Sequence, residues 1–148
     1  MKIDLTSPIV PGHSAGNIVL GTVMESVLAA NEIEFKLEPR TGCNVYRSDH
    51  IDFFLDQSGK IDQIMVHGGY VGKIADRVGL GSTYGDVGTH LGRVGEDWED
   101  NMVVKEFPGF CFEHTPSSDG PPFLVTHICV FVPEDPSLYP DGFLDIRY

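Results

Sequence analysis

Two decapeptides 60 residues apart share one pattern, and that repeat constrains the fold of this chain more than any other feature. Residues 18–27 read Ile-Val-Leu-Gly-Thr-Val-Met-Glu-Ser-Val, and residues 78–87 read Val-Gly-Leu-Gly-Ser-Thr-Tyr-Gly-Asp-Val. The offset sets Ile18 over Val78, Leu20 over Leu80, Gly21 over Gly81, Thr22 over Ser82 and Val27 over Val87. Each copy has an apolar entry, a Leu-Gly turn, a hydroxyl residue and an apolar residue one turn later, a combination that marks a helix start. In the first copy Thr22 and Glu25 are spaced as a capping box, with the hydroxyl taking one orphan N–H and the carboxylate returning to the cap's own N–H. In the second, Ser82 or Thr83 supplies the cap, and Thr83 with Asp86 approximates the same device. Helices are predicted over 23–31 and 84–91, the second weakened by Gly85 and Gly88.

Strand patterns follow each helix. In the first half they fall at 43–47, 51–56 and 61–67, the last two joined by a turn at 57–60 into a hairpin. In the second half they fall at 102–105, 110–114 and 123–131, with a breaker-rich loop at 115–122. The pattern predicts an α+β domain: about six antiparallel strands in one sheet, short helices on one face, built from two similar helix-plus-strands units. Those units run from about 12 to 70 and from about 71 to 132, inside a single domain spanning 1–148. Neither unit buries its helix well alone, which is the physical reason for pairing them. The tail 133–148, with Pro133, Pro136 and Pro140, is expected to lie across the surface, anchored by Phe143, Leu144, Ile146 and Tyr148.

A length of 148 residues suits one domain, and 41% hydrophobic with 22% charged residues is ordinary globular composition. The charge balance is not ordinary: 22 Asp and Glu face 10 Lys and Arg, a formal net charge of -12. Nucleic acid is excluded as a partner, because binding it requires neutralising phosphates with Lys and Arg. A negative field of this size favours solubility and speeds encounters with basic partners. No stretch is apolar and long enough to span a bilayer, and the first residues hold no continuous apolar run of the signal-peptide kind. Cys43, Cys111 and Cys129 are odd in number and lack CxxC spacing, so reduced thiols in the cytoplasm are expected.

Motifs for catalysis are weak. The run His67-Gly-Gly-Tyr-Val-Gly-Lys73 lacks the glycine spacing and the following hydroxyl of a phosphate-binding loop, since Ile74 comes next. Ser14 sits in a Gly-His-Ser-Ala-Gly sequence resembling a nucleophile elbow, but Pro8 and Pro11 precede it where a strand is needed. His127 and Cys129 share one face of a strand, as do Cys111 and Glu113 on its neighbour, with His114 opposite. Packing of the cysteines as small hydrophobes is the simplest reading of that set. A metal or small-molecule pocket using His67, His114, His127, Cys111 and Cys129 is the alternative. No catalytic residue, metal ligand or cofactor is assigned.

The sharpest local feature is Glu96, Asp97, Trp98, Glu99 and Asp100, four carboxylates around the only Trp. Consecutive carboxylates do not match a calcium loop, whose oxygens alternate along the chain. A solvated loop with an inward Trp is one reading. A protein-binding patch is the other, with Trp98 as desolvated anchor and the acids meeting Arg or Lys of a partner.

The tandem Leu-Gly-[Ser/Thr]…Val units leading into antiparallel strands resemble the duplicated layout of the β-lactamase inhibitor proteins over residues 18–131. Those inhibitors are secreted and disulfide-linked, features not expected of this chain, so their target is not carried over. A second resemblance is to small immunity proteins of bacterial contact-dependent growth inhibition and related polymorphic toxin systems. It is carried by residues 11–21, by Gly-Leu-Gly-Ser-Thr at 79–83 and by residues 99–113. That resemblance implies a cytosolic, non-enzymatic protein that neutralises a cognate, basic toxin, often a nuclease, by covering its active site. Glu96, Asp97, Trp98, Glu99 and Asp100 are the partner-binding residues expected on this reading.

Overall fold

The computed structural model describes residues 1–97, 100–133 and 144–145. In chain order the first half contains β1 (Ser14–Ala15), β2 (Ile18–Val19), α1 (Met24–Ala30), β3 (Lys36–Arg40), β4 (Cys43–Arg47), β5 (Ile51–Leu55) and β6 (Ile61–Val66). The second half contains α2 (Tyr84–His90), β7 (Val94–Glu96), β8 (Met102–Val104), β9 (Phe110–His114), β10 (Val125–Phe131) and β11 (Leu144–Asp145). A two-residue hairpin pairs β1 with β2 across Gly16 and Asn17, both at positive φ. All the other strands form one nine-stranded antiparallel sheet in the order β11-β7-β8-β9-β10-β6-β5-β4-β3.

The expected count of about six strands is therefore wrong. The three additional strands are β3, β7 and β11, all at or next to a sheet edge. Edge strands need no alternating apolar face, and natural ones carry charge and proline to discourage further pairing. The sequence of β3, Lys-Leu-Glu-Pro-Arg, fits that description and not the pattern of a half-buried strand. The strand β7 is only three residues long and contains Gly95, while β11 is a two-residue piece of the tail.

Each half contains one helix followed by a four-strand meander, the first half preceded by the β1–β2 hairpin, and the halves meet where β6 pairs with β10. The repeat reaches down to single hydrogen bonds. The N–H of Gly21 donates to Ile61 O at 2.8 Å, and Ile61 N–H donates back to Thr22 O at 2.8 Å. In the second half Gly81 donates to Val125 O at 2.8 Å, and Val125 donates to Ser82 O at 2.9 Å. The Leu-Gly turn thus joins each helix start to the first residue of the last strand in its own unit. Gly21 and Gly81 adopt φ of +90° and +88°, and nothing lies within 4 Å of the place a Cβ would occupy on either. The dihedral angle and not space therefore selects glycine there.

The helix starts differ. Thr83 and Asp86 form the capping box: Asp86 N–H donates to Thr83 Oγ1 at 3.1 Å and Thr83 N–H donates to Asp86 Oδ2 at 2.9 Å. The corresponding Thr22–Glu25 box does not form. The N-cap of α1 is Val23, which has no capping side chain, and the Thr22 hydroxyl donates to Val19 O at 2.7 Å instead. Both helices and the N-terminal segment pack on one side of the sheet. The core there joins Met24 and Val27 of α1 and Tyr84 and Val87 of α2 to Phe53, Ile64, Val66, Phe110, Phe112, Ile128 and Val130 of the strands. Among the described residues, no helix is long and apolar enough to cross a membrane.

Candidate functional site

Strand alternation sends every second side chain to the sheet face away from the helices. In β5 the core residues Ile51, Phe53 and Leu55 alternate with Asp52 and Phe54. Register then brings Met65 opposite Asp52, Gln63 opposite Phe54, Cys129 opposite Met65 and Cys111 opposite Cys129. On the flanks Val45 lies opposite Phe54, and Glu38 opposite Val45. Asp52, Phe54, Gln63, Met65, Cys111 and Cys129 line a cavity of about 430 Å³ on the face that no helix among the described residues covers, together with Arg40, Arg47, His67, Asn101, Glu113 and His127.

A row of polar side chains crosses this face from β3 to β9. Glu38 Oε2 accepts from Arg40 Nε at 3.2 Å and from Arg47 Nε at 2.8 Å. Arg47 Nη1 donates to Asp52 Oδ2 at 2.9 Å, and Ser48 N–H donates to Asp52 Oδ1 at 3.1 Å. Asp52 is only 2% exposed, and a carboxylate so deeply buried is retained only when paired. His67 Nε2 lies 3.1 Å from Asp52 Oδ1, but the two are poorly aligned and this nitrogen makes no well-directed hydrogen bond. The His67 ring stacks on His127 with centroids 5.4 Å apart, and His127 Nδ1 is 3.2 Å from Glu113 Oε2. Arg40 sits over the Phe54 ring, 5.7 Å from its centroid. The hydrogen bond from Arg47 holds the Glu38 carboxyl below its usual range, and the same bond raises the Arg47 guanidinium.

Two thiols form the floor beside this track. Cys129 is buried and Cys111 half-buried, with Cys129 Sγ donating to Gln63 Oε1 at 3.7 Å. Its hydrogen bond with Cys111, and then burial, push the Cys129 thiol well above its ordinary pKa.

Of the acidic run, Asp97 and Asp100 lie beside the rim. Glu96 ends β7 opposite Met102, in phase with the core residue Val94, so it projects to the helix side near Tyr84, and Trp98 and Glu99 lie outside the described residues. Asp97 turns inward on its own loop: its Oδ1 accepts Asn101 N–H at 2.9 Å and its Oδ2 accepts Asn101 Nδ2 at 3.3 Å. Asp100 is exposed and takes the left-handed conformation at φ +64°. Because Asn101 both bonds Asp97 and lines the cavity, Asp97 and its neighbour Asp100 sit next to the open face.

The His and Cys set is divided between the two faces. His67, His127, Cys111 and Cys129 share the open face, whereas His114 packs on the helix side against Tyr84 and Phe123, at 5.2 and 5.5 Å. Among the described residues no group of three or more His, Cys, Asp or Glu is arranged to hold a metal ion. Ser14 lies in β1, followed by a turn and another strand, not by the helix a nucleophile elbow requires. The glycine run at 68–72 packs on the N-terminal segment, with Gly72 N–H donating to Leu5 O at 3.1 Å and so turned away from any phosphate. Arg40, Arg47, Asp52, Phe54, Gln63 and Met65 carry much of the site, although no motif marks them in the sequence. The one local signal is Asp52, a lone carboxylate interrupting the apolar run Ile-Asp-Phe-Phe-Leu.

No protein-family model matches the chain, and neither curated proteins nor solved structures give a match, so any activity has to be argued from the chemistry of this face.

Proposed function

We propose that this chain is a binding protein of the inhibitor or immunity type, which neutralises a basic protein toxin by docking it on the open sheet face beside the acidic loop. The observation that carries the proposal is the sheet face that no helix among the described residues covers, with its cross-strand polar track and with Asp97 and Asp100 beside it. Rigid sheet residues present Phe54, Met65 and Arg40 to a partner at low entropic cost, the kind of side chain that supplies binding energy. The charges on the floor are largely matched among themselves, so the net charge of -12 acts through the rest of the surface. A field of that sign steers a basic partner toward the molecule and adds to on-rate more than to affinity. Asp97, Trp98, Glu99 and Asp100 meet the partner's Lys and Arg, with Asp97 contributing through loop shape as well as charge, whereas Glu96, on the helix side, adds only to the overall field.

The chain, co-expressed with the product of its neighbouring reading frame, should elute as a stoichiometric complex at about 50 mM salt and weaken at about 500 mM, where screening shortens to a few ångströms. Glu99→Lys with Asp100→Asn should weaken that complex at least tenfold, and Phe54→Ala should weaken it further. An unchanged affinity in both variants would remove the docking surface from this face and its rim.

A second reading has one observation in its favour. The cavity volume of about 430 Å³ lies within the range of small-molecule pockets, and its lining holds His67, His127, Cys111 and Cys129. Native mass spectrometry of the chain purified alone separates the two readings, because a retained small ligand supports the pocket and a bare chain does not.

A further inference from the structure

We infer that Cys111 and Cys129 form a two-thiol modification site, in which a hydroperoxide oxidises the pair to a disulfide across β9 and β10 in the floor of the open face. The inference is independent of any partner. The two residues are direct Cα partners in an antiparallel ladder, and both project to the open face. Phe131 N–H donates to Gly109 O two positions along the same ladder, which makes the cysteines a hydrogen-bonded pair. Such pairs have Cα atoms about 5.5 Å apart, in the centre of the range that a disulfide spans. Cys43 is excluded from the pairing: it lies on β4, with β5 and β6 between it and β10, a lateral distance of about 14 Å at the usual strand spacing.

The environments of the two thiols divide the chemistry between them. Cys111 is half-exposed and open to the cavity, so it meets the oxidant. Cys129 is 5% exposed and stays protonated beside Cys111 and Gln63, so it is placed to resolve the product. The Cys111 thiolate attacks one peroxide oxygen, the O–O bond breaks, and the leaving oxygen takes a proton and departs as water, or as an alcohol from an alkyl hydroperoxide. This leaves a sulfenic acid on Cys111. The Cys129 sulfur then attacks the Cys111 sulfur, the S–O bond breaks, and the departing hydroxide leaves as water with the Cys129 proton. With hydrogen peroxide, two thiols and one peroxide give one disulfide and two waters; the sulfurs lose two electrons and the peroxide oxygens gain them. The oxidised floor also loses the S–H donor to Gln63 Oε1, so one acceptor on the face is released.

The test uses the full chain and hydrogen peroxide, followed by intact mass and peptide mapping. The expected result is a loss of about 2 Da, a 111–129 linked peptide, and one remaining alkylatable thiol, at Cys43. Cys43→Ser, which leaves the pair intact, should lose the same 2 Da. Cys129→Ser should stop at a sulfenic acid on Cys111 that dimedone traps, and Cys111→Ser should react at least tenfold more slowly. Stepwise oxygen addition in the wild-type chain without the 2 Da loss, or a disulfide involving Cys43, would overturn the inference.

Discussion

Tyr70 joins two parts of the first half through a single hydroxyl. It donates to Ser7 O at 2.7 Å and accepts from the buried Gly16 N–H at 2.7 Å, holding the N-terminal segment and the β1–β2 turn to the loop after β6. Tyr70→Phe leaves both backbone groups unpaired, and a cost of about 1–3 kcal/mol is expected as a lower urea midpoint with unchanged slope. Tyr84 is the complementary case. It is 5% exposed, and burial, with the nearby Glu96 charge, pushes its phenol up to about 12. A folded pKa above the unfolded value of about 10 means that this contribution is complete below pH 10 and disappears as pH rises from there through 12. Urea unfolding followed from pH 9 to 12 should show that fall, and Tyr84→Phe should make it shallower. Nothing local in the sequence separates these two tyrosines from the other three. Their roles arise from contacts with residues 54 to 63 positions away in the first case and from the β9 and β10 ends in the second.

At the scale of elements, the repeat locates both helices, but it misplaces the start of one. Thr22 and Ser82 occupy equivalent places, yet the N-cap falls one residue later in each copy, on Val23 and on Thr83. Only the second of these can accept a hydrogen bond. Thr83→Ala should therefore cost about 1 kcal/mol, and Val23→Thr should add about 0.5–1 kcal/mol, both measurable as shifts in thermal midpoint. A Val23 variant that gains nothing would show that its backbone bridge to Lys60 already fixes that turn. The six strands with a buried face were legible because alternation is imposed by burial. The strands β3, β7 and β11 were not, because an edge strand is defined by its neighbour and not by its own apolar pattern. The open face was hidden for a related reason: its track is assembled from single residues on five strands and His67 just after β6, so no segment contains more than two or three of its members.

For the whole molecule the decisive contact is the seam between the halves. There Ile64 pairs with Val130 and Val66 with Ile128, and all four are at most 1% exposed. Ile64→Ala should cost about 2–5 kcal/mol, and the two halves should still unfold in one transition seen alike by Trp98 fluorescence and far-ultraviolet circular dichroism. Two separate transitions would mean that each helix and its meander is stable alone. The charge of the chain could be read directly from the sequence, whereas the pairing of β6 with β10 could not. That arrangement also sets a schedule during synthesis. The strand β6 is complete about 60 residues before β10 has been made, an interval of roughly 3–12 s at ordinary elongation rates. Throughout that interval the strand destined for the middle of the sheet is an open edge, able to pair with any other strand that reaches it first.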